Sequence, residues 1–279
     1  MGAAVAALVL AVGPVAAGPV TGQAARGLRS TSPVVGGTAA DVTAASGTAA
    51  VGPAASATSG CQATRTLGRS RKGTRIVACQ LTGSDPSTGR RLLAVGSMHG
   101  DEQAGMRVTK LLRSRDLAGL GVDMWVISTI NPDGTKADRR GNARKIDLNG
   151  NFPTNGWKVR MPGSIYWGGS KAASEPETRA LMKAMRTIRP VEVVVFHQHA
   201  NVIDCPPYRS EDLTRRLHEV TGYRIRCMPV LAGNFTAWAN QTYDWTTAVT
   251  FELEARPSSK RLSRVADGLV TIATEQTAG

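Results

Sequence analysis

From about position 65 onward the apolar residues fall into short runs that alternate between two periods. Arg65 to Leu81 reads as a hairpin around Ser70-Arg71-Lys72-Gly73, a turn-forming tetrad between two apolar-alternating arms. Arg91 to Gly96 is a short apolar strand, and Glu102 to Arg115 follows it with helical spacing. Met106, Thr109 and Leu112 share one side of that helix, and Arg107, Lys110 and Arg113 share another. Val122 to Ile130 predicts a second buried strand, stopped by the turn signal Asn131-Pro132-Asp133-Gly134. Residues 135–174 are polar and glycine-rich, the composition of a functional loop region. Ser174-Glu175-Pro176-Glu177 predicts a helix start with a serine cap, and that helix runs to about Arg189. Val191 to His197 is the most β-rich run. A helix at Ser210 to Thr221, a strand at Thr246 to Glu254 and a helix from Ser259 complete the pattern. Ala237 to Asn240 reads as a segment entering a loop.

This alternation predicts a single α/β domain over residues 61–279, with a central mixed β-sheet flanked by helices. Functional groups then belong at strand ends. The chain before it is different in kind. From Gly18 to Gly60, 33 of 43 residues are Ala, Gly, Ser, Thr or Pro and none is aromatic, so the segment cannot bury enough apolar surface to offset its ordering entropy. Residues 18–60 are therefore expected to be a disordered spacer. Ahead of it, Ala3 to Val12 has the length of a signal-peptide apolar core, with small residues at Val15 and Ala17 suited to cleavage after Ala17. The 1–17 segment is thus expected to be a signal peptide, although no Lys or Arg precedes its apolar run, and the product is expected to be secreted, extracellular or cell-wall associated.

Charge and cysteines sharpen this picture. The net charge is +13, and residues 1–60 contribute only Arg26, Arg29 and Asp41, so the rest of the chain carries +12. Such a balance favours acidic partners such as wall polymers, acidic peptides or nucleic acid, and chooses none of them. No run in the body of the chain is long and apolar enough to span a bilayer, so no integral membrane segment is expected after signal cleavage. Four cysteines, Cys61, Cys79, Cys205 and Cys227, show no zinc-ribbon spacing. They suit an oxidising compartment. Three pairings are open, and the local one closes two modest loops.

Only four histidines occur: His99, His197, His199 and His218. His99 lies just past a strand end and forms an HxxE pair with Glu102, placing both side chains on one face of the turn into a helix. His197 ends the strand Val193-Val194-Val195-Phe196. Two histidines and one carboxylate leave a tetrahedral zinc ion one open position, the pattern of a catalytic site. His199 shares a strand face with His197 and competes for the ligand role; His218 reads as a surface residue. Trp238 and Trp245 read as core or pocket wall.

The loop between these elements adds specificity. After Asn131-Pro132-Asp133-Gly134 come Arg139-Arg140-Gly141-Asn142-Ala143-Arg144, then Asp147-Leu148-Asn149-Gly150-Asn151-Phe152-Pro153, and later Thr250-Phe251-Glu252-Leu253-Glu254. The ordered motifs HxxE, NPDG, RxNA, DLNxNFP, FHQ and FEL resemble the zinc carboxypeptidase superfamily of the carboxypeptidase A type. Within it, the chain most resembles the compact bacterial branch that includes murein-peptide amidases. The resemblance covers about Leu92 to Ala255. It implies one Zn²⁺ per chain held by His99, Glu102 and His197, with Asp147 orienting the first histidine. It implies Glu252 as general acid/base, Arg140 as the group that polarises the scissile carbonyl, and Asn149 as a holder of the substrate's terminal carboxylate. The implied activity is hydrolysis of a peptide or muropeptide amide bond by a monomer, with no nucleic-acid partner.

Three expectations qualify that reading. Glu254 shares the face of Glu252, and the motif favours Glu252. The family motif reads Asn-Arg-Asn where this chain has Asn149-Gly150-Asn151, so the arginine that clamps a free C-terminal carboxylate is missing. Arg144 and Lys145 are the cations near enough in sequence to substitute, and Tyr243 is the candidate for the family's substrate-capping tyrosine. Two other functions stay open: a zinc amidase or deacylase acting on small acylated amino acids, and a non-catalytic basic module that binds the cell wall.

Overall fold

The computed structural model describes residues 60–81, 91–115, 117 and 123–275. The expected signal peptide, 1–17, and the expected spacer up to residue 59 lie outside the described residues.

The hairpin forms as expected, with β1 (Ala63–Arg69) antiparallel to β2 (Arg75–Gln80). Then come β3 (Arg91–Val95), α1 (Ala104–Arg113), β4 (Asp123–Ile127), α2 (Pro132–Lys136), α3 (Pro176–Ile188), β5 (Glu192–Ile203), α4 (Glu211–Thr221), β6 (Arg224–Ile225), α5 (Phe235–Thr242), β7 (Thr247–Glu254) and α6 (Ser259–Glu275). The strands join in one mixed sheet, in the order β1-β2-β4-β3-β5-β6, with β7 also paired to β5. Strands β4, β3, β5 and β7 run parallel, so their carboxyl ends share one edge.

Strand parity sorts the core into two layers. Leu92, Ala94, Val194, Phe196, Val249 and Phe251 face the layer containing α1, α4 and α6; Leu93, Val95, Val193, Val195 and Ala248 face the layer containing α3 and α5. The row Val193-Val195 continues to His197, and the row Ala248-Thr250 continues to Glu252. Beyond the last β3–β5 pair, Val95↔Val195, both side chains therefore emerge at the carboxyl edge, where α/β sheets place their ligands.

Several expectations are corrected. Asn131-Pro132-Asp133-Gly134 opens the short helix α2 instead of making a simple turn: Asn131 caps it by accepting from Gly134 N–H at 3.0 Å, and proline occupies the first turn. Ser174 is not the cap of α3. The N-cap is Glu175, and the Ser174 hydroxyl donates to its carboxylate at 2.9 Å. Ala237 to Asn240 lies inside α5, whose Asn234 cap accepts from Ala237 N–H. Strand β5 runs six residues past His197. Its first half follows β7 from Glu192↔Thr247 to His199↔Glu254, after which the partners descend from Ala200↔Glu254 to Val202↔Glu252 and Ile203↔Phe251. The strand thus wraps the end of β7 and returns along it, and Asp204 N–H donates to Thr250 C=O at 3.0 Å.

Both local disulfides are present, Cys61–Cys79 and Cys205–Cys227, closing separations of 18 and 22 residues. Such loops stabilise by about 3 kcal/mol each in the chain-entropy account. No helix among the described residues is long and apolar enough to cross a membrane.

Candidate active site

His99 follows β3 in the turn His99-Gly100-Asp101-Glu102, closed by Glu102 N–H donating to His99 C=O at 3.1 Å. This turn leads into α1 and puts His99 and Glu102 on one face, as expected; the helix itself starts at Ala104, two residues later than Glu102. Gly100 is required there, because a Cβ would lie 2.1 Å from the Gly134 backbone of α2. Across the edge, His197 sits beside Glu252 in the β5–β7 register.

Three donor atoms meet at this point. His99 Nδ1 lies 2.9 Å from Glu102 Oε1, His197 Nδ1 lies 2.9 Å from Glu102 Oε2, and the two Nδ1 atoms are 3.2 Å apart. His199 is exposed and does not join them. Asp147 Oδ1 accepts from His99 Nε2 at 2.9 Å, which selects the tautomer that leaves Nδ1 free to bind a metal. Burial alone would lower the pKa of His99, but the Asp147 and Glu102 carboxylates outweigh it and raise it to about 9. Burial likewise pushes Glu102 up, yet its contacts with His197 and His99 hold it well below the usual carboxylate range.

This donor set fits zinc. Ligands bound at tetrahedral zinc distances stand about 3.3–3.6 Å from one another. The nitrogens and carboxylate oxygens here all lie within 4.8 Å. Two buried imidazole nitrogens facing each other across one carboxylate are what a divalent cation would relieve.

The remaining expected residues are placed as follows. Arg140 Nη2 and Nε donate to Asp147 Oδ2 at 3.0 and 3.3 Å, Nη1 reaches Glu102 Oε1 at 3.2 Å, and the Tyr166 ring lies 5.4 Å from the guanidinium. Glu252 is half-buried, and its Oε2 accepts from Ala200 N–H at 3.3 Å. Glu254 is instead engaged with the Tyr223 hydroxyl and with Arg261 Nε at 2.8 Å. Asn149 Oδ1 accepts from Phe235 N–H at 2.9 Å, tying the 3₁₀ turn Leu148–Gly150 to the start of α5. Arg144 Nη1 pairs with the buried Glu175 at 3.2 Å while the rest of its side chain stays exposed, and Lys145 beside it is exposed. Tyr243 packs edge-on to Trp238 and meets Trp245 with the rings tilted, while Trp238 is buried in the core. His218 is exposed, its Nδ1 on the Tyr223 carbonyl.

Gly150 stands where three segments converge. A Cβ on Gly168 or Gly233 would fall 2.0 or 2.2 Å from the Gly150 carbonyl oxygen, while a Cβ on Gly150 itself would lie 3.1 Å from Gly168 Cα. A side chain at 150 therefore displaces the Tyr166–Gly168 loop. Gly168→Ala is expected to destabilise the fold by about 1–3 kcal/mol, the usual cost of overpacking, and Gly150→Ala by less. Paired thermal melts check this, and equal midpoints for Gly168→Ala and the unaltered protein would contradict the packing.

A profile of the family described as zinc carboxypeptidase matches residues 54–224, more than half of the chain. The chain belongs to this family. Murein peptide amidase A of Escherichia coli K12 is 35% identical over 127 residues, 41% of this chain and 51% of that protein. The Vibrio campbellii murein peptide amidase A is 29% identical over 207 residues, 67% of this chain and 78% of that protein. The chain thus spans about half the length of the Escherichia coli relative. The crystal structure of murein-tripeptide amidase MpaA from Escherichia coli O157 superposes with TM-score 0.61 at 25% identity, covering 76% of this chain and 91% of that one. Carboxypeptidase A from Helicoverpa armigera shares the fold, with TM-score 0.62 at 17% identity over 78% of this chain and 69% of that one. The mixed-sheet fold of the chain is that of the solved structures of this family.

Proposed function

We propose that the chain is a secreted peptidase or amidase that cleaves an amide bond in a cell-wall peptide. The observation that carries this reading is the meeting of His99 Nδ1, Glu102 and His197 Nδ1 at the sheet edge, with Glu252 on the neighbouring strand. The likeness to murein peptide amidases supports the substrate class, and the excess of positive charge suits an anionic wall. The two disulfides support an oxidising destination.

In this reading His99, Glu102 and His197 hold the zinc ion. When bound, zinc supplies a water acidified towards neutrality and a Lewis acid for the carbonyl oxygen. Glu252 takes a proton from the attacking water and returns it to the leaving amine. Asp147 keeps His99 in the required tautomer and anchors two N–H groups of Arg140. Held there with Nη1 beside Glu102, Arg140 is the donor available to the carbonyl oxygen as negative charge develops on it. One well-placed donor of this kind contributes about 3 kcal/mol.

Gly150 brings no cation and sits in a crowded place, and Arg144 Nη1 is held by Glu175, so of the two substitute cations only the exposed Lys145 has no ion pair among the described residues. This favours an enzyme that recognises its substrate away from the free C-terminus. Weak discrimination, below about 10-fold in kcat/KM, is expected between free-acid and amidated peptides. A preference above about 100-fold would contradict it. The function itself is tested by mass spectrometry of products from a mixture of muropeptides and ordinary peptides, before chelation, after it, and after zinc is restored. Cleavage of a muropeptide amide that stops on chelation and returns with zinc is the expected result. Intact substrates throughout, from zinc-loaded protein, would sink the enzymatic reading.

A further inference from the structure

A cavity of about 620 Å³ opens between the returning half of β5, the strand β6 and the start of α6. Ala200, Asn201 and Val202 form one wall, and Arg224, Arg226 and Arg261 line the rest together with Gly222 and Ile225. That wall is also a wall of the reaction centre. Ala200 N–H donates to Glu252 Oε2, and Val202 is the register partner of Glu252. Anything lodged in the cavity therefore lies beside the backbone that holds the proposed base.

The charges of the cavity are unbalanced. Arg261 is matched by Glu254 at 2.8 Å and covers the Tyr223 ring at 4.1 Å. Among the described residues, neither Arg224 nor Arg226 has an acidic partner, and both are exposed. The nearby acids do not serve them: Glu254 is taken by Tyr223 and Arg261, and Asp204 Oδ1 accepts from Met228 N–H at 2.8 Å. The backbone beneath the two arginines is braced. Val202↔Arg224 and Ile203↔Ile225 pair, Arg226 N–H donates to Ile203 C=O at 3.0 Å, and the Cys205–Cys227 disulfide closes the loop behind them.

Two guanidinium groups without acidic partners, carried by a braced backbone at one concavity, favour an anion between them, and their planar forks match a carboxylate in two-point geometry. We infer that this cavity is an anionic subsite of the enzyme, taking a carboxylate of the substrate at a position removed from the scissile bond. The inference rests on the hydrolase reading above and adds a substrate requirement to it. A subsite of this kind also supplies binding energy that a terminal-carboxylate clamp would otherwise provide.

The test uses peptide twins that differ only by Glu or Gln, with the replaced residue scanned to either side of the cleaved bond. At one position the full-length protein prefers the acid by about 10–100-fold in kcat/KM, the range of a charged hydrogen bond. In the Arg224→Gln, Arg226→Gln double variant that ratio falls to near one, and in the corresponding double lysine variant most of it survives. Added salt shrinks the ratio, and inorganic phosphate competes with the acid twin more than with the amide twin. A ratio near one at every position, or a ratio untouched by the double glutamine change, overturns the subsite. Calorimetry of the same twins on Glu252→Gln separates the two claims. Arg-dependent binding of the acid twin, with no hydrolysis by the unaltered protein, overturns the hydrolase reading and leaves the subsite standing. Hydrolysis without any acid preference overturns the subsite alone.

Discussion

Glu252→Gln is expected to retain zinc and fold while losing about 10²–10⁴-fold in kcat, the contribution of a positioned general base. The substitution keeps shape and the hydrogen bond from Ala200 N–H, since an amide oxygen also accepts. What it removes is the capacity to take a proton beside the histidine that its strand register places next to it. Glu254→Gln is expected to act differently. Its carboxylate is tied to the Tyr223 hydroxyl and Arg261, which hold its pKa below the ordinary value against the effect of burial. Its loss should lower stability more than turnover. Steady-state kinetics and melting curves on the two variants decide the assignment, and an inactive Glu254→Gln beside an active Glu252→Gln would reverse it.

The second large effect concerns the metal. His197→Ala is expected to lower zinc affinity by more than the roughly 10–100-fold that removal of an orienting partner costs, because a donor atom itself is lost. Asp147→Asn should fall within that 10–100-fold range, since His99 keeps its place but loses the carboxylate that sets its tautomer. His199→Ala should leave affinity unchanged, its side chain being exposed and outside the cluster. Metal analysis after dialysis against graded chelator orders the three variants. Equal loss from His197→Ala and His199→Ala would move the site along the strand.

Much of this arrangement was legible in the chain because it rests on local signals. The runs Arg91 to Val95 and Glu192 to Phe196 are apolar enough to be buried strands wherever they lie, and the motif order placed His99, Glu102 and His197 together. The features that were not legible depend on partners distant in sequence. The return of β5 past His197 is set by pairing with β7, some fifty residues on, and no periodicity in Gln198 to Ile203 announces it. Strand β6 is two exposed residues, with no burial pattern to detect. Helix α5 is short, and its Asn234 cap was hidden because Asn-Phe-Thr lacks the acid of a capping box. The disulfide pairing needed the hairpin to bring Cys61 and Cys79 across β1 and β2, since spacing alone left three choices. The arginine cavity joins segments around 201, 225 and 261, so only the folded chain reveals it.

The local rules that misled were those applied at loop ends. Asn131-Pro132-Asp133-Gly134 carries both turn and helix-start chemistry, and the asparagine cap resolves it in favour of helix. Ser174 has the residue type of a cap, but Asn151 Oδ1 accepts from the Glu175 N–H and draws the chain one residue further before α3 begins. Gly150 read as a simple loss of arginine. The structure adds that the backbones of Gly168 and Gly233 have closed in on it, so a side chain at this position would have to displace them.

The central claim is that His99, Glu102 and His197 hold one zinc ion at the carboxyl edge of the sheet. Anomalous diffraction at the zinc edge from crystals of zinc-loaded protein tests it most directly. One peak is expected, about 2.0–2.2 Å from His99 Nδ1, from His197 Nδ1 and from a Glu102 carboxylate oxygen. A peak coordinated by His199 instead of His197, or no peak at this edge in protein that retains zinc, would contradict it.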